Sequence, residues 1–476
     1  MSTAGRSTGA RIGRALTRLV DTRIRPVRPD LDDLQGNVLR AYDNDHGAYL
    51  FVEVADPEAG CRVLRELADH VTPSTPWVVP PTVTHNVAFT HAGLERLGMS
   101  EAHLETFPIE FREGMAHPQR AAYLGDKGPA DPDRWEPGLR DDTTHLVVML
   151  TAWRGDRLDT RADELVGRIT ADDGLRLAGR LRAERFDDQR EHFGFLDGVA
   201  QPRVEGVEPP GTPANGTPRR HGWKSLPVGE FVLGHPDAEG VRGDVPADGW
   251  ATNGSYVVLR KLYQDVAGFR ALVNETGRDY VGGPELLAAK IVGRWPDGTP
   301  LSVSPDGPDP TVAGDPARIN DFRFSDDPEG LRCPVGAHIR RANPRDGVGV
   351  GGALTTRHRL VRRGLPYGPR LADGAPDDGV DRGLVFVCFA ADIERQFEFL
   401  LRRWMNDGDV LGLRGEPDPL LGIPEGDQPF LFKVPGGPGA PPYLLEIDRP
   451  LVVARGGAYL FQPGRRALAA LARGEA

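Results

Sequence analysis

Residues 145–169 read HLVVMLTAWRGDRLDTRADELVGRI, and residues 383–407 read GLVFVCFAADIERQFEFLLRRWMND. Both open as a short apolar run of strand length and pass within a few positions into the 3.6-residue periodicity of a long helix. The same strand-into-helix unit in two distant places predicts a chain built of two structurally similar halves.

Around the first unit, AYLFVEV (48–54) reads as a strand whose nearly unbroken apolar run suits burial on both faces. Asp56 and Pro57 supply an N-cap and a first-turn proline for the amphipathic helix EAGCRVLRELADHV. TVTHNVAFT (82–90) alternates as a second strand, and a short helix follows through Leu94 and Leu97. HLVVMLTA is the third strand, DTRADELVGRITA the second long helix and GLRLAGRLRAERF the fourth strand. The order β-α-β-β-α-β is the split pattern of a ferredoxin-like domain. Helices on one face of such a sheet leave its other face free to cover something.

Past a Gly/Pro-rich bridge at 204–222, the second half starts with the strand GSYVVLRKLYQ (254–264), a helix capped by Asp265 and the helix GPELLAAKIVGRW. RHRLVRRG (357–364) and GLVFVCFAA (383–391) are its next strands. Asp392 caps the helix after them, and AYLFQP (458–463) is the last strand. The expected fold is α+β: two ferredoxin-like domains over 31–205 and 206–476, behind a basic, flexible leader at 1–30.

Composition narrows the function classes. At 476 residues the chain is too long for one ordinary core, and 39% hydrophobic with 27% charged residues suits a folded globular protein. Abundant Gly (59) and Pro (43) predict many ordered loops. A net charge of −11 disfavours nucleic acid and anionic membranes as partners. No stretch approaches the roughly 20 apolar residues of a membrane span. Cys61, Cys333 and Cys388 are too scattered for a disulfide framework or a CxxC motif, so a reduced, cytoplasmic protein is expected. GxxxxGK[ST], HExxH and GxSxG are absent, which removes the usual phosphate cradles, zinc hydrolases and elbow serines.

Two segments carry chemistry. EHFGFLDGVAQP (191–202) sets Asp197 in an apolar, glycine-rich run; the Asp-Gly pair alone reads as a tight turn. LRCPVGAHIRRANPRD (331–346) leads through apolar residues to His338 and then to Arg340, Arg341 and Arg345. A haem iron needs a proximal imidazole with an apolar wall, and its propionates need cations. The alternative is a histidine ending a strand, with its arginines on an acidic surface.

Together, GFLDG, CPVGAHIRRANPR, RRGLPYGP and GLVFVCFAADIERQFEFLLRRW occur in the order found in the dye-decolorising peroxidases, and DLQGNVLRAY (33–42) is similar to the opening segment of that family's longer-chain branch. The resemblance runs from about Leu31 to Pro463. It implies two ferredoxin-like halves, with one haem b held mainly by the second, against the open side of its sheet. It makes His338 the iron ligand, Asp197 the distal aspartate and Arg362 the distal arginine, in preference to Arg363. Leu384 and Phe386, two apart on a strand, become the apolar residues above the haem, Arg340 a cofactor contact, and Asp418 a partner for the other nitrogen of His338. The activity implied is oxidation of dyes, phenolics and similar small aromatic donors by hydrogen peroxide through an oxoferryl intermediate. Trp404, Tyr367 and Tyr459 are candidate electron relays, with core packing as the alternative. A haem-handling protein with incidental peroxide turnover is the competing reading; the presence of both Asp197 and Arg362 speaks for catalysis. An oligomer is possible.

Overall fold

The computed structural model describes residues 29–171, 173–207, 217–219, 222–349, 352–424, 428–436 and 440–476. Nearly all of the expected leader lies outside the described residues. In the first half, β1 (His46–Val54), β2 (Thr84–Phe89), β3 (Leu146–Ala152) and β4 (Leu175–Glu184) alternate with helices Pro57–His70 and Gly155–Thr170. Asp56 caps the first helix as expected, accepting from the backbone N–H groups of Glu58 and Ala59. Two short strands, β5 (Thr217–Arg219) and β6 (Gly222–Lys224), pair with each other in the connection to the second half.

The second half contributes β7 (Ser255–Gln264), β8 (Val361–Arg362), β9 (Leu365–Tyr367), β10 (Gly383–Ala390) and β13 (Val452–Gln462). A separate hairpin, β11 (Phe430–Val434) with β12 (Tyr443–Ile447), had no counterpart in the sequence reading. Asp265 caps helix Val266–Gly277, and Asp392 accepts from the N–H of Arg395 at the start of the helical stretch after β10. That stretch, Ile393–Glu398 and Leu400–Asn406, is wound with the wider i→i+5 turn that often accompanies functional sites.

The sheet runs β4-β1-β3-β2-β13-β7-β10-β8, all pairs antiparallel, with β9 also on β10. Each half therefore has the ferredoxin-like strand order: fourth, first, third, second. The halves join where Phe89 of β2 pairs with Phe461 of β13. At the far ends β9 packs on β4, which brings the outer edges of the sheet together.

Alternation sorts the strand residues between two cores. Tyr49 and Phe51 of β1 meet Val257, Leu259, Val385, Val387 and Leu460 in an interior shared by both halves. Ala48, Leu50 and Val52 face the other way, onto Leu64, Leu67, Leu158 and Leu165 of the helices. This double burial is the reason AYLFVEV reads as an unbroken apolar run. It also corrects one expectation. The helix-free faces of the two half-sheets cover each other, so the cavity described next lies on the helix-bearing face of the second half-sheet.

Candidate active site

A cavity of about 350 Å³ lies against that face, within the range of sites that hold cofactors. Arg260, Leu262 and Gln264 of β7 line it from alternate positions, as do Leu384 and Phe386 of β10 and Val452 and Ala454 of β13. The intervening Val385 and Val387 turn into the shared core. Phe397, Leu400 and Leu401 from the wide helical stretch extend the apolar lining.

His338 opens the short helix His338–Ala342 and lines the cavity with Ile339, Ala342 and Asn343. Its Nδ1 lies 3.0 Å from Oδ2 and 3.2 Å from Oδ1 of Asp418. Asp418 is fully buried and also accepts from the N–H groups of Leu420 and Leu421, each at 2.9 Å. Burial alone would pull the His338 pKa down, yet the Asp418 carboxylate outweighs it and holds the imidazole above its usual range. His338 and Arg341 in turn keep Asp418 below the usual carboxylate range despite its burial. Nδ1 therefore donates to Asp418, and Nε2 is the ring nitrogen left to serve the cavity. Arg341, fully buried, donates to the carbonyls of Met405, Asp407 and Glu416 and so braces the loop that carries Asp418.

Asp197 also lines the cavity, on a loop closed as a small hairpin. Arg190 bridges to Leu196, and the Asp197 N–H donates to Gln189 O at 3.1 Å. Gly194 and Gly198 take φ of +97° and +74°, a conformation that favours glycine. The Asp197 Oδ1 accepts the Gly198 N–H at 2.6 Å. Turn chemistry and a cavity-facing carboxylate thus coexist at this residue.

Arg362 of β8 pairs with Cys388 of β10 and faces the cavity. Its N–H donates to Gln201 Oε1 at 3.1 Å and its guanidinium to Ala200 O at 3.4 Å, tying the strand to the segment just after Asp197. Arg363 points away, toward the carbonyls of Asn37 and Val38.

Arg294, Arg345 and Arg359 also line the cavity and were not recognised as a group in the sequence. Arg294 donates to Gly298 O, Ile319 O and Asn320 Oδ1, while Arg345 donates to Asn320 O and Phe322 O. Burial, with repulsion from Arg362, pushes Arg294 and Arg359 down to about 10. Burial together with Arg294 and Arg359 drives Arg345 well below its ordinary value. Guanidinium groups that repel one another around a cavity suit an anionic ligand.

Arg340 departs from expectation. It is buried away from the cavity, donating to Cys333 O and stacking over Phe324 at 4.7 Å. Successive helical residues diverge by about 100°, so positions 338, 339 and 342 face the cavity while 340 and 341 do not. The cation that lines the cavity from this segment is Arg345.

The sequence reading also missed Glu191, Gln264 and His358 as lining residues. His358 stacks on Phe399 at 3.8 Å and meets Trp404 edge-on at 5.1 Å. The three aromatic candidates are all buried: Trp404 in that cluster, Tyr367 with its hydroxyl on Asp381, and Tyr459 with its hydroxyl on Glu398.

His192, within the Asp197 loop, is buried with Nε2 2.8 Å from Tyr367 O. Burial, with Arg382 and Arg370 nearby, lowers its pKa from 6.5 to about 4. A depressed imidazole is neutral in the fold while the unfolded chain binds a proton below pH 6.5. Acidification from 6.5 to 4 therefore removes stability, by up to about 3 kcal/mol for this residue. In His192→Gln that share of the pH dependence should vanish, as read from denaturant unfolding at pH 7 and pH 4.5.

Among the described residues no helix is long and apolar enough to cross a membrane. Residues 33–182 match the model of the DyP dimeric alpha+beta barrel domain, and residues 237–412 that of the Dyp-type peroxidase C-terminal domain. A dye-decolorizing peroxidase of Mycetinis scorodonius is 31% identical over 92% of this chain and 87% of its own. The multifunctional dye peroxidase of Amycolatopsis sp. is 30% identical over 91% of this chain and 94% of its own. Among solved structures, an ancestral D-type dye-decolorizing peroxidase superposes with a TM-score of 0.79 at 28% identity, covering 93% of this chain and 98% of that one. A dye-decolorizing peroxidase in complex with 2,6-dimethoxyphenol gives 0.79 at 27% identity, covering 93% of this chain and all of that one. With matches of this extent in both halves, the chain belongs to the dye-decolorizing peroxidases, a family of haem enzymes.

Proposed function

We propose that this peroxidase holds one haem b in the cavity, with His338 Nε2 as iron ligand, and uses hydrogen peroxide to oxidise small aromatic donors such as phenols and dyes. The reading rests on one observation: Asp197, Arg362 and an Asp418-backed His338 line the same cavity. The lining fits the group. It offers the His338 imidazole with its Nε2 toward the cavity, an apolar sheet face under Leu384 and Phe386, and the Arg294–Arg345–Arg359 cluster for two carboxylates. A relative's complex with 2,6-dimethoxyphenol supports a phenolic donor.

Haem, when bound, supplies an iron that takes peroxide and passes oxidising equivalents to donors one electron at a time. Cleaving the O–O bond requires a proton to leave the inner oxygen and reach the outer one, which departs as water. Asp197 takes up that proton and returns it, and Oδ2 is the atom for this, since Oδ1 accepts the Gly198 N–H. The Arg362 guanidinium stabilises the negative charge that develops on the departing oxygen. The Ala200 carbonyl holds this guanidinium, and the Gln201 side chain the Arg362 backbone N–H, beside the Asp197 loop before peroxide arrives. Leu384 and Phe386 keep bulk water from the reacting oxygens. Asp418 fixes the His338 ring and makes Nε2 a stronger donor.

Arg362→Leu tests the electrostatic role. Its haem-loaded form should react with peroxide about 10²–10³-fold more slowly in rapid mixing, with haem content near wild type. A rate within threefold of wild type removes Arg362 from the mechanism.

A further inference from the structure

We propose that Glu191 is a positioning residue for the peroxide reaction: its carboxylate clasps the Asp197 loop onto the sheet of the second half. This rests on the reading of Asp197 as proton carrier.

Glu191 spends both carboxylate oxygens on the loop and the sheet. Oε1 accepts the Phe195 N–H at 3.0 Å, and Oε2 accepts the Phe193 N–H at 2.9 Å and the Gln264 Nε2–H at 2.7 Å. Its own N–H donates to Phe195 O at 2.9 Å, closing the loop into a ring. Gln264 is the last residue of β7, whereas the loop follows β4, so this carboxylate joins the two halves beside the cavity that both residues line.

The loop has other anchors on either side: His192 Nε2 lies 2.8 Å from Tyr367 O, and beyond Asp197 the Asn320 amide donates to Val199 O at 2.6 Å. Phe193 and Phe195 pack on Phe269 at 4.6 and 6.4 Å, and the Leu196 N–H donates to Pro296 O. The Asp197 N–H pairs with Gln189 O, on the strand of the hairpin that Glu191 continues. Glu191 holds the turn at 193–195 that leads into Asp197, so releasing it loosens the approach to Asp197 between anchors that stay in place.

A carboxylate is the side chain this geometry requires. Three N–H donors converge on two oxygens, and burial raises the Glu191 pKa, so the bonds it accepts must offset the cost of its charge. Glutamine would keep one acceptor and set an NH₂ against N–H donors. The flanking glycines with positive φ give the loop no stiffness of its own, which is why an external clasp matters.

The test is a double-mutant cycle on the haem-loaded protein with Glu191→Gln and Asp197→Asn, read by the second-order rate with peroxide, alongside amide hydrogen exchange over 189–199. Glu191→Gln should slow the peroxide reaction about tenfold, leave the KM for a phenolic donor unchanged, and speed exchange at Phe193 and Phe195 at least tenfold. In the Asp197→Asn background the same substitution should cost less than twofold. Gln264→Leu, which keeps the carboxylate and the loop bonds, should move rate and exchange in the same direction by a smaller factor. Costs that multiply across the cycle, or exchange that stays at the wild-type rate in Glu191→Gln and Gln264→Leu, overturn the proposal. If Asp197→Asn alone leaves the rate unchanged, the proton-carrier reading fails, and the clasp has nothing to position.

Discussion

Asp197→Asn should slow the reaction with hydrogen peroxide by about 10²–10⁴-fold, the usual share of a positioned general acid–base. The substitution isolates chemistry from folding. An asparagine side-chain oxygen can still accept the Gly198 N–H that Asp197 Oδ1 now accepts at 2.6 Å, and the backbone bond to Gln189 O is untouched. What the amide nitrogen cannot do is take a proton and give it back. Haem content and thermal stability should stay near wild type while the second-order rate in rapid mixing falls. A variant that reacts as fast as the parent would show that Asp197 is turn chemistry alone, the reading its Asp-Gly sequence first suggests.

His338→Ala should have the larger effect on the cofactor itself. It removes the imidazole whose Nε2 serves the cavity and leaves Asp418 as a fully buried carboxylate without its partner. Breaking a buried pair from one side costs about 3–5 kcal/mol, so the variant should lose stability along with at least nine-tenths of its haem. Adding free imidazole should restore part of the haem absorbance, because the space vacated matches the ring. Full haem retention with an unchanged spectrum would remove His338 as the iron ligand.

The strands and caps were legible because their causes are local. Asp56, Asp265 and Asp392 each precede a helix with an acceptor that reaches its first free N–H groups, and all three do so in the structure. The β-α-β-β-α-β order of elements read in the first half is the order found there. RHRLVRRG was overread: only Val361 and Arg362 pair on the main ladder, because His358 and Arg359 before them turn to the cavity. The β11–β12 hairpin escaped notice since its strands are short and set among Gly and Pro. The single Phe89–Phe461 pair that joins the two half-sheets has no sequence signal at all. That joint determines which face of the second sheet is left for the cavity, so the cavity's face was misjudged from sequence.

At the site, residues inside motifs were found and residues that arrive from elsewhere were not. Asp197, His338, Arg362, Leu384 and Phe386 all line the cavity, and Asp418 meets Nδ1 of His338. Arg340 was misassigned because adjacency in sequence ignores helical phase. Arg359, three positions before Arg362, was the one missed cation with a local clue. Arg294 follows a helix without any motif, and Glu191 stood in plain view at the head of EHFGFLDG, its role set by Gln264 on a distant strand.

The most direct test is a crystal structure of the haem-loaded protein. It should show iron bound by Nε2 of His338, with Asp418 still on Nδ1, Asp197 and Arg362 over the iron face away from His338, and both propionates among Arg294, Arg345 and Arg359. Iron held by any other residue, or Asp197 remote from the open face of the iron, would contradict the account.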